Sequence, residues 1–344
     1  MNQPKKSAKV FLLFVTIYAF LVSTSWGQAT SMTPPPVSGQ AVSPETILPA
    51  DVLARVQWFG EELEAIRFEM GKPKDRRVTR LATDALPHEV YFQAITLFIK
   101  ADRLALELTG STGLRPRPVA PSAIRPYHNW ALVTAAYDRL VTIKHELGIQ
   151  ETVSEKAHPP STKTTEVARA IVQANRQLNL MLQRRFSSSD VYQQVSWGIQ
   201  YAKALLAQFP AATPSAASPP FERGKQPGEV FLRLVQCFKH VEEIARLSGT
   251  AALHLDVKAA KRAMDDFEIQ PSDVYDLATL LVSDLTYLYG RLKDAPPIPS
   301  VPFPGRKFPS HTYQQAGVLL DYLGALEQQV RANPNWSQVQ PPVN

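Results

Sequence analysis

The chain has 344 residues, 44% of them hydrophobic, with one cysteine and 37 basic against 31 acidic side chains. A single thiol excludes an internal disulfide framework, so the fold must rest on an apolar core. Lys5, Lys6 and Lys9 precede the apolar run Val10 to Val22, and without them the formal net charge falls from +6 to +3, which argues against a nucleic-acid partner.

That basic start, the apolar run and a small-residue exit at Ala29 are the parts of a secretory signal peptide, predicted over 1–29. The run is shorter than the roughly 20 residues a membrane helix needs. The expected mature chain is therefore exported, periplasmic or secreted, with no transmembrane segment after cleavage. An uncleaved anchor is the alternative. Residues 30–48, rich in Pro, Ser and Thr, are predicted to be a disordered spacer, and so is the tail 333–344.

Between them one phrase recurs: PADVL at 49, PHEVY at 87, SSDVY at 188, PGEVF at 227 and PSDVY at 271. Each opens a run whose apolar residues are spaced alternately three and four apart, the stripe of an amphipathic helix about six turns long. Counting the first residue as zero, position 4 holds Leu53, Tyr91, Trp130, Tyr192, Phe231, Tyr275 and Tyr313 in the segments starting at 49, 87, 126, 188, 227, 271 and 309. Position 17 holds Ile66, Leu104, Ile143, Leu205, Ile244, Leu288 and Leu326. Both columns are predicted core. An eighth, weaker copy starts at Thr164, with Ala168 in the aromatic column.

Proline suits the first helical turn, where its missing N–H has no intrahelical partner, and the acid two residues on meets the positive end of the helix dipole. Gly71, Gly110, Gly148 and Gly249 are placed as helix stops. The expected fold is all-α: tandem helical repeats of about 22 residues joined by long Pro-rich connectors, in two duplicated four-helix units, 49–187 and 188–332. The alternative is a continuous α-solenoid of helix pairs, with the helix at 164 and a short one near 252–268 as spacers. Connectors of this length can carry the chain back for parallel neighbours, so an up-and-down order is not forced.

The connectors lean basic. Arg115, Arg117 and Arg125 lie in one, Arg223 and Lys225 in a second, Arg306 and Lys307 in a third, and these seven are the candidate partner-binding residues. The loop at 72–80 adds further lysines and arginines. Trp58 and Trp197 lie off the main stripe and are candidates for exposed aromatics. No catalytic, cofactor or metal site is identified: there is no HExxH, CxxC or CxxCH and no phosphate-cradling glycine loop. Cys237 and His240 stand three apart on one helix, but no third group orients them, and a buried small residue beside a solvated histidine is the simpler reading. The expected function is that of an exported, non-catalytic binding or scaffolding protein of the bacterial cell envelope, whose partner is another envelope protein or an acidic envelope component. A bundle holding a small apolar or aromatic molecule is the alternative, and an enzyme is the least favoured class.

Overall fold

The structure, a computed structural model, describes residues 46–76, 85–114, 116, 119, 123–151, 153–154, 156–209, 218–250, 268–292, 295–333 and 336. The predicted leader, most of the spacer, Arg115, Arg117 and nearly all of the spacer helix expected at 252–268 lie outside these residues. Among the described residues all regular structure is helical: α1 (Pro49–Glu69), α2 (Pro87–Thr109), α3 (Pro126–Leu147), α4 (Thr164–Met181), α5 (Ser188–Leu206), α6 (Pro227–Leu247), α7 (Pro271–Tyr289) and α8 (Pro309–Ala332).

The recurrent phrase is a helix start with a defined geometry. In α7 the extended Gln270 is the N-cap and Pro271 the first helical residue, and α1, α2, α3, α6 and α8 begin on proline in the same way. The side chain at the third helical position folds back to accept the N-cap backbone N–H. Asp51 accepts from Leu48 at 2.8 Å, Glu89 from Leu86 at 2.7 Å, Asp190 from Ser187 at 2.7 Å and Asp273 from Gln270 at 3.0 Å. In α3 and α8 the imidazole Nδ1 of His128 and His311 does the same, at 3.0 and 3.2 Å. Each bond satisfies one N–H that the helix cannot. The four predicted stop glycines all have positive φ, between 61° and 72°.

The helices assort into two closed rings. In the first set α1 touches α3 and α4, and α2 touches the same two; in the second α5 touches α7 and α8, and α6 touches the same two. Consecutive helices α1 and α2, like α5 and α6, therefore stand diagonally across their ring. The two rings share one order of neighbours, and their closure is that of bundles in place of the stacked pairs of a solenoid.

Within each set the helices are parallel. Ser188, Pro227, Pro271 and Pro309, the first residues of α5 to α8, line one small space. In the first set Asn129 reaches the Pro87 carbonyl at 3.4 Å, joining the starts of α3 and α2, while Thr165 at the start of α4 accepts from Ala85 just ahead of α2 at 3.1 Å. Parallel neighbours explain the connector lengths, because a 22-residue helix is about 33 Å long and the chain must travel back along it each time. The segment 182–187 between α4 and α5 is too short for that, with a reach of about 20 Å. So α5 begins where α4 ends, and the second set runs in the opposite direction. The packing of α2 against α7 shows this directly: His88 at the start of α2 meets Asp284 in the second half of α7, and Lys100, past the middle of α2, meets Asp276 early in α7.

Proline-rich connectors carry carbonyls without a matching number of N–H donors, and helix side chains supply them. Gln193 donates to Val301 O at 3.0 Å, Gln314 to Pro219 O at 2.8 Å, the Trp58 indole to Val153 O at 2.6 Å and Arg139 to Ser111 O at 3.0 Å. The Tyr289 hydroxyl donates to Pro296 O. At the edges of the predicted disordered ends, Ile47 is buried, and the Trp336 indole donates to Ser248 Oγ at 2.9 Å while its ring lies 5.6 Å from that of Phe209.

Position 17 is buried in all seven helices that carry it, none more than 3% exposed. Position 4 is mixed. Leu53, Tyr91 and Tyr275 are buried, whereas Trp130, Tyr192, Phe231 and Tyr313 are half-buried. Three of those four rings sit beneath cations, with Arg55 4.8 Å from Trp130, Lys307 5.0 Å from Tyr192 and Arg233 3.3 Å from Tyr313. These rings lie one turn into the helix, where connectors enter and the bundle is not yet closed.

Candidate functional site

Three places concentrate chemistry. The first is the end of the second set where α5 to α8 begin. The connectors entering α6 and α8 meet there: Lys225 N donates to Ser310 Oγ at 3.1 Å, and Lys307 N to Ser189 Oγ at 2.8 Å. Phe221, Phe303 and Phe308 are 46%, 58% and 51% exposed. The rings of Phe221 and Phe308 both flank His311, at 5.1 and 5.9 Å, and the Arg306 guanidinium lies 5.1 Å from the Phe308 ring.

Four of the seven predicted basic candidates are brought together at this end, but they are not equivalent. Lys225 is half-buried between Glu222 at 2.8 Å and Glu229 at 2.9 Å, with Tyr313 beneath it, and the hydrogen bonds it donates to these two acids raise its ammonium pKa well above the ordinary lysine range. Lys307 lies over Tyr192. Arg223 and Arg306 are exposed and have no ion-pair partner among the described residues. Arg125 is also exposed but precedes α3, so the opposed direction of the two sets puts it at the other end of the molecule. The basic connectors therefore do not form one rim.

The second place is the seam between the sets. At one end of it the Lys100 ammonium, fully buried, donates to Asp276 Oδ1 at 2.6 Å and to the Asn175 carbonyl at 3.4 Å. Asn179 donates to Asp276 Oδ2 at 3.2 Å, and Phe186 stacks on Tyr275 with Lys100 5.6 Å from its ring centre. Burial pulls the Lys100 pKa down and pushes the Asp276 pKa up, while their attraction opposes both shifts. At the other end His88 Nε2 lies 3.1 Å from Asp284 Oδ1 and 4.0 Å from Glu89 Oε1, all three residues buried, with Tyr287 stacked on the imidazole at 4.1 Å. Burial lowers the His88 pKa to about 4; burial and then the Asp284 charge raise that of Glu89 to about 9.

No sequence motif announced this seam, because Asp284 is 196 residues from His88. The available signal was composition: Asp276 and Asp284 stand two turns apart on the buried stretch of α7, and Lys100 directly follows the mostly apolar run ITLFI of α2.

The third place is a groove of about 470 Å³ between α1 and α4, floored by Val56, Leu63 and Ala174 and edged by Glu64, Lys74 and Gln177. Gly60 faces open space there. The corresponding helix pair of the second set, α5 and α8, is closed instead: a Cβ on Gly198 would stand 3.1 Å from Leu319 Cδ2.

The Cys237 and His240 pair makes no nucleophile. Cys237 is fully buried with Sγ 3.7 Å from the Ala316 carbonyl, burial pushes its thiol pKa up, and the His240 ring is turned to Glu327 at 2.7 Å. Trp58 and Trp197 are half-buried; Trp58 packs between Tyr137 at 4.2 Å and Arg55 at 4.9 Å. Among the described residues no helix is long and apolar enough to cross a membrane. Comparison with protein-family models, curated proteins and solved structures returns no match for this chain.

Proposed function

We propose that the protein is an exported binding or scaffolding protein of the bacterial cell envelope, built from two copies of one four-helix pattern, and that it grips an acidic protein partner with the end of the second set where α5 to α8 begin. The observation that carries this reading is the exposure of Phe221, Phe303 and Phe308 at this end, together with the guanidinium groups of Arg223 and Arg306, which have no ion-pair partner among the described residues. Aromatic side chains and arginine dominate the energetic centres of protein interfaces, and exposed apolar clusters of this kind are uncommon on surfaces without a partner. Export is supported by the sequence of the first 29 residues, and a fold with a single cysteine is compatible with an oxidising compartment.

The test is capture from envelope extract by the chain from residue 30 onward, compared with a Phe221→Ser, Phe303→Ser, Phe308→Ser variant. A protein retained by the parent and lost from the variant at unchanged melting temperature is the expected result. Equal retention by both would move the contact surface elsewhere.

A second reading rests on the α1/α4 groove, whose volume suits a small molecule. It predicts that native mass spectrometry of the purified chain finds a bound small molecule, and that Gly60→Leu, which fills the groove, expels it.

A further inference from the structure

Of the eight side chains that cap a helix from the third position, Glu89 is the only one buried outright, at 1% exposure. A capping carboxylate at the surface leaves its second oxygen to water. Glu89 spends Oε2 on the Leu86 N–H, but its Oε1 is sealed in the α2/α7 contact, where no N–H of the chain donates to it and the only group that could share a proton with Glu89 is the Asp284 carboxylate. A carboxylate oxygen of Glu89, an imidazole nitrogen of His88 and a carboxylate oxygen of Asp284 lie within 4.8 Å of one another, and Oε1 stands 4.0 Å from His88 Nε2. A buried polar atom left unsatisfied is destabilising, so its neighbours should show what it serves.

We propose that His88, Glu89 and Asp284 bind one divalent transition-metal ion of the Zn²⁺ class, clamping α2 of the first set to α7 of the second. One imidazole nitrogen with two carboxylate oxygens is a donor set for Zn²⁺, Mn²⁺ or Fe²⁺; Ca²⁺ and Mg²⁺ favour shells of oxygen alone. Zn–N and Zn–O bonds of about 2.0–2.2 Å put tetrahedral donors roughly 3.2–3.6 Å apart. The separations of 3.1 Å from His88 Nε2 to Asp284 Oδ1 and 4.0 Å to Glu89 Oε1 straddle that range, so small side-chain rotations close the site. A dication balances the two carboxylates beside a neutral imidazole, and Tyr287, stacked within 3° of parallel, holds the ring plane. Burial of all three donors keeps substrate out and makes the ion a structural clamp, its fourth position left to a second carboxylate oxygen or a water.

Because a buried site exchanges metal slowly, the full chain is unfolded in guanidinium with chelator and refolded with equimolar Zn²⁺, with Ca²⁺ or Mg²⁺, or with chelator alone. Native mass spectrometry is expected to find one Zn²⁺ per chain. The melting temperature should exceed that of the chelated protein by about 5 °C or more, with no shift from Ca²⁺ or Mg²⁺. Glu89→Gln keeps an oxygen for the Leu86 N–H and should lose both the ion and the shift, as should Asp284→Asn. A parent that refolds without Zn²⁺ and melts identically in zinc and in chelator overturns the proposal, leaving a proton on the carboxylate pair as the occupant. Zn²⁺ retained equally by both variants overturns it too, since the ion would then lie elsewhere.

Discussion

Along the α2/α7 seam the charged side chains of Lys100 and Asp276 are sealed from water and held against each other, whereas at the start of α5 to α8 the charged Arg223 and Arg306 stand in solvent among exposed phenylalanines. Both places set a cation near a phenylalanine ring, yet their energetics are opposite. A buried pair has lost its hydration, and its partner bonds restore little more than was lost, so such a pair contributes mainly when one member is removed. An exposed arginine on an aromatic ring keeps its hydration and can spend it on a partner. Burial therefore separates the part of this molecule that joins its two halves from the part we assign to contact.

The comparison breaks most visibly at Lys100. Lys100→Met strands Asp276 in the seam and should destabilise the chain by about 3–5 kcal/mol in denaturant titration, and adding Asp276→Leu should recover most of that loss. The aliphatic interiors come next: Leu205→Ala or Leu288→Ala should cost about 2–5 kcal/mol, and changes below about 0.5 kcal/mol at both would discredit the shared core column.

The metal-free seam should also give a pH signature. Glu89, raised to about 9, favours the fold at low pH and withdraws that support as pH climbs toward 9. His88, lowered to about 4 from the usual 6.5, favours the fold above 6.5 and withdraws support as pH falls toward 4. The two oppose one another at mildly acid pH, and above 6.5 only the Glu89 contribution remains. Stability of chelated protein should then fall with rising pH, by at most about 1.4 kcal/mol per unit, and Glu89→Gln should flatten the slope. The smallest effect belongs to the contact end, where Phe303→Ser should move stability by no more than about 0.5 kcal/mol while weakening partner binding.

Helix starts, helix stops and the column from Ile66 to Leu326 were legible in the sequence because each depends on neighbours within a few turns. The function of proline at 49, 87, 126, 227, 271 and 309 follows from one missing N–H. Parallel order was half-legible: the long connectors permitted it, and the contrast with the six residues between Met181 and Ser188 carried the reversal of the second set. Trp130, Tyr192, Phe231 and Tyr313 were expected inside and are half-buried, because helical period fixes which face a residue occupies but not how deep its turn lies. The triad of His88, Glu89 and Asp284 was hidden by sequence distance, since a local phrase, PHEVY, carries two of its members in a capping pattern shared with other helices.

The most direct test of the account is amide hydrogen exchange along the full chain, alone and with the partner recovered by capture. The account predicts new protection confined to the connectors and first turns around residues 218–231 and 301–313, with α2 and α7 unchanged. Protection along the α1/α4 groove or the seam, with that end of the molecule unaffected, would contradict it.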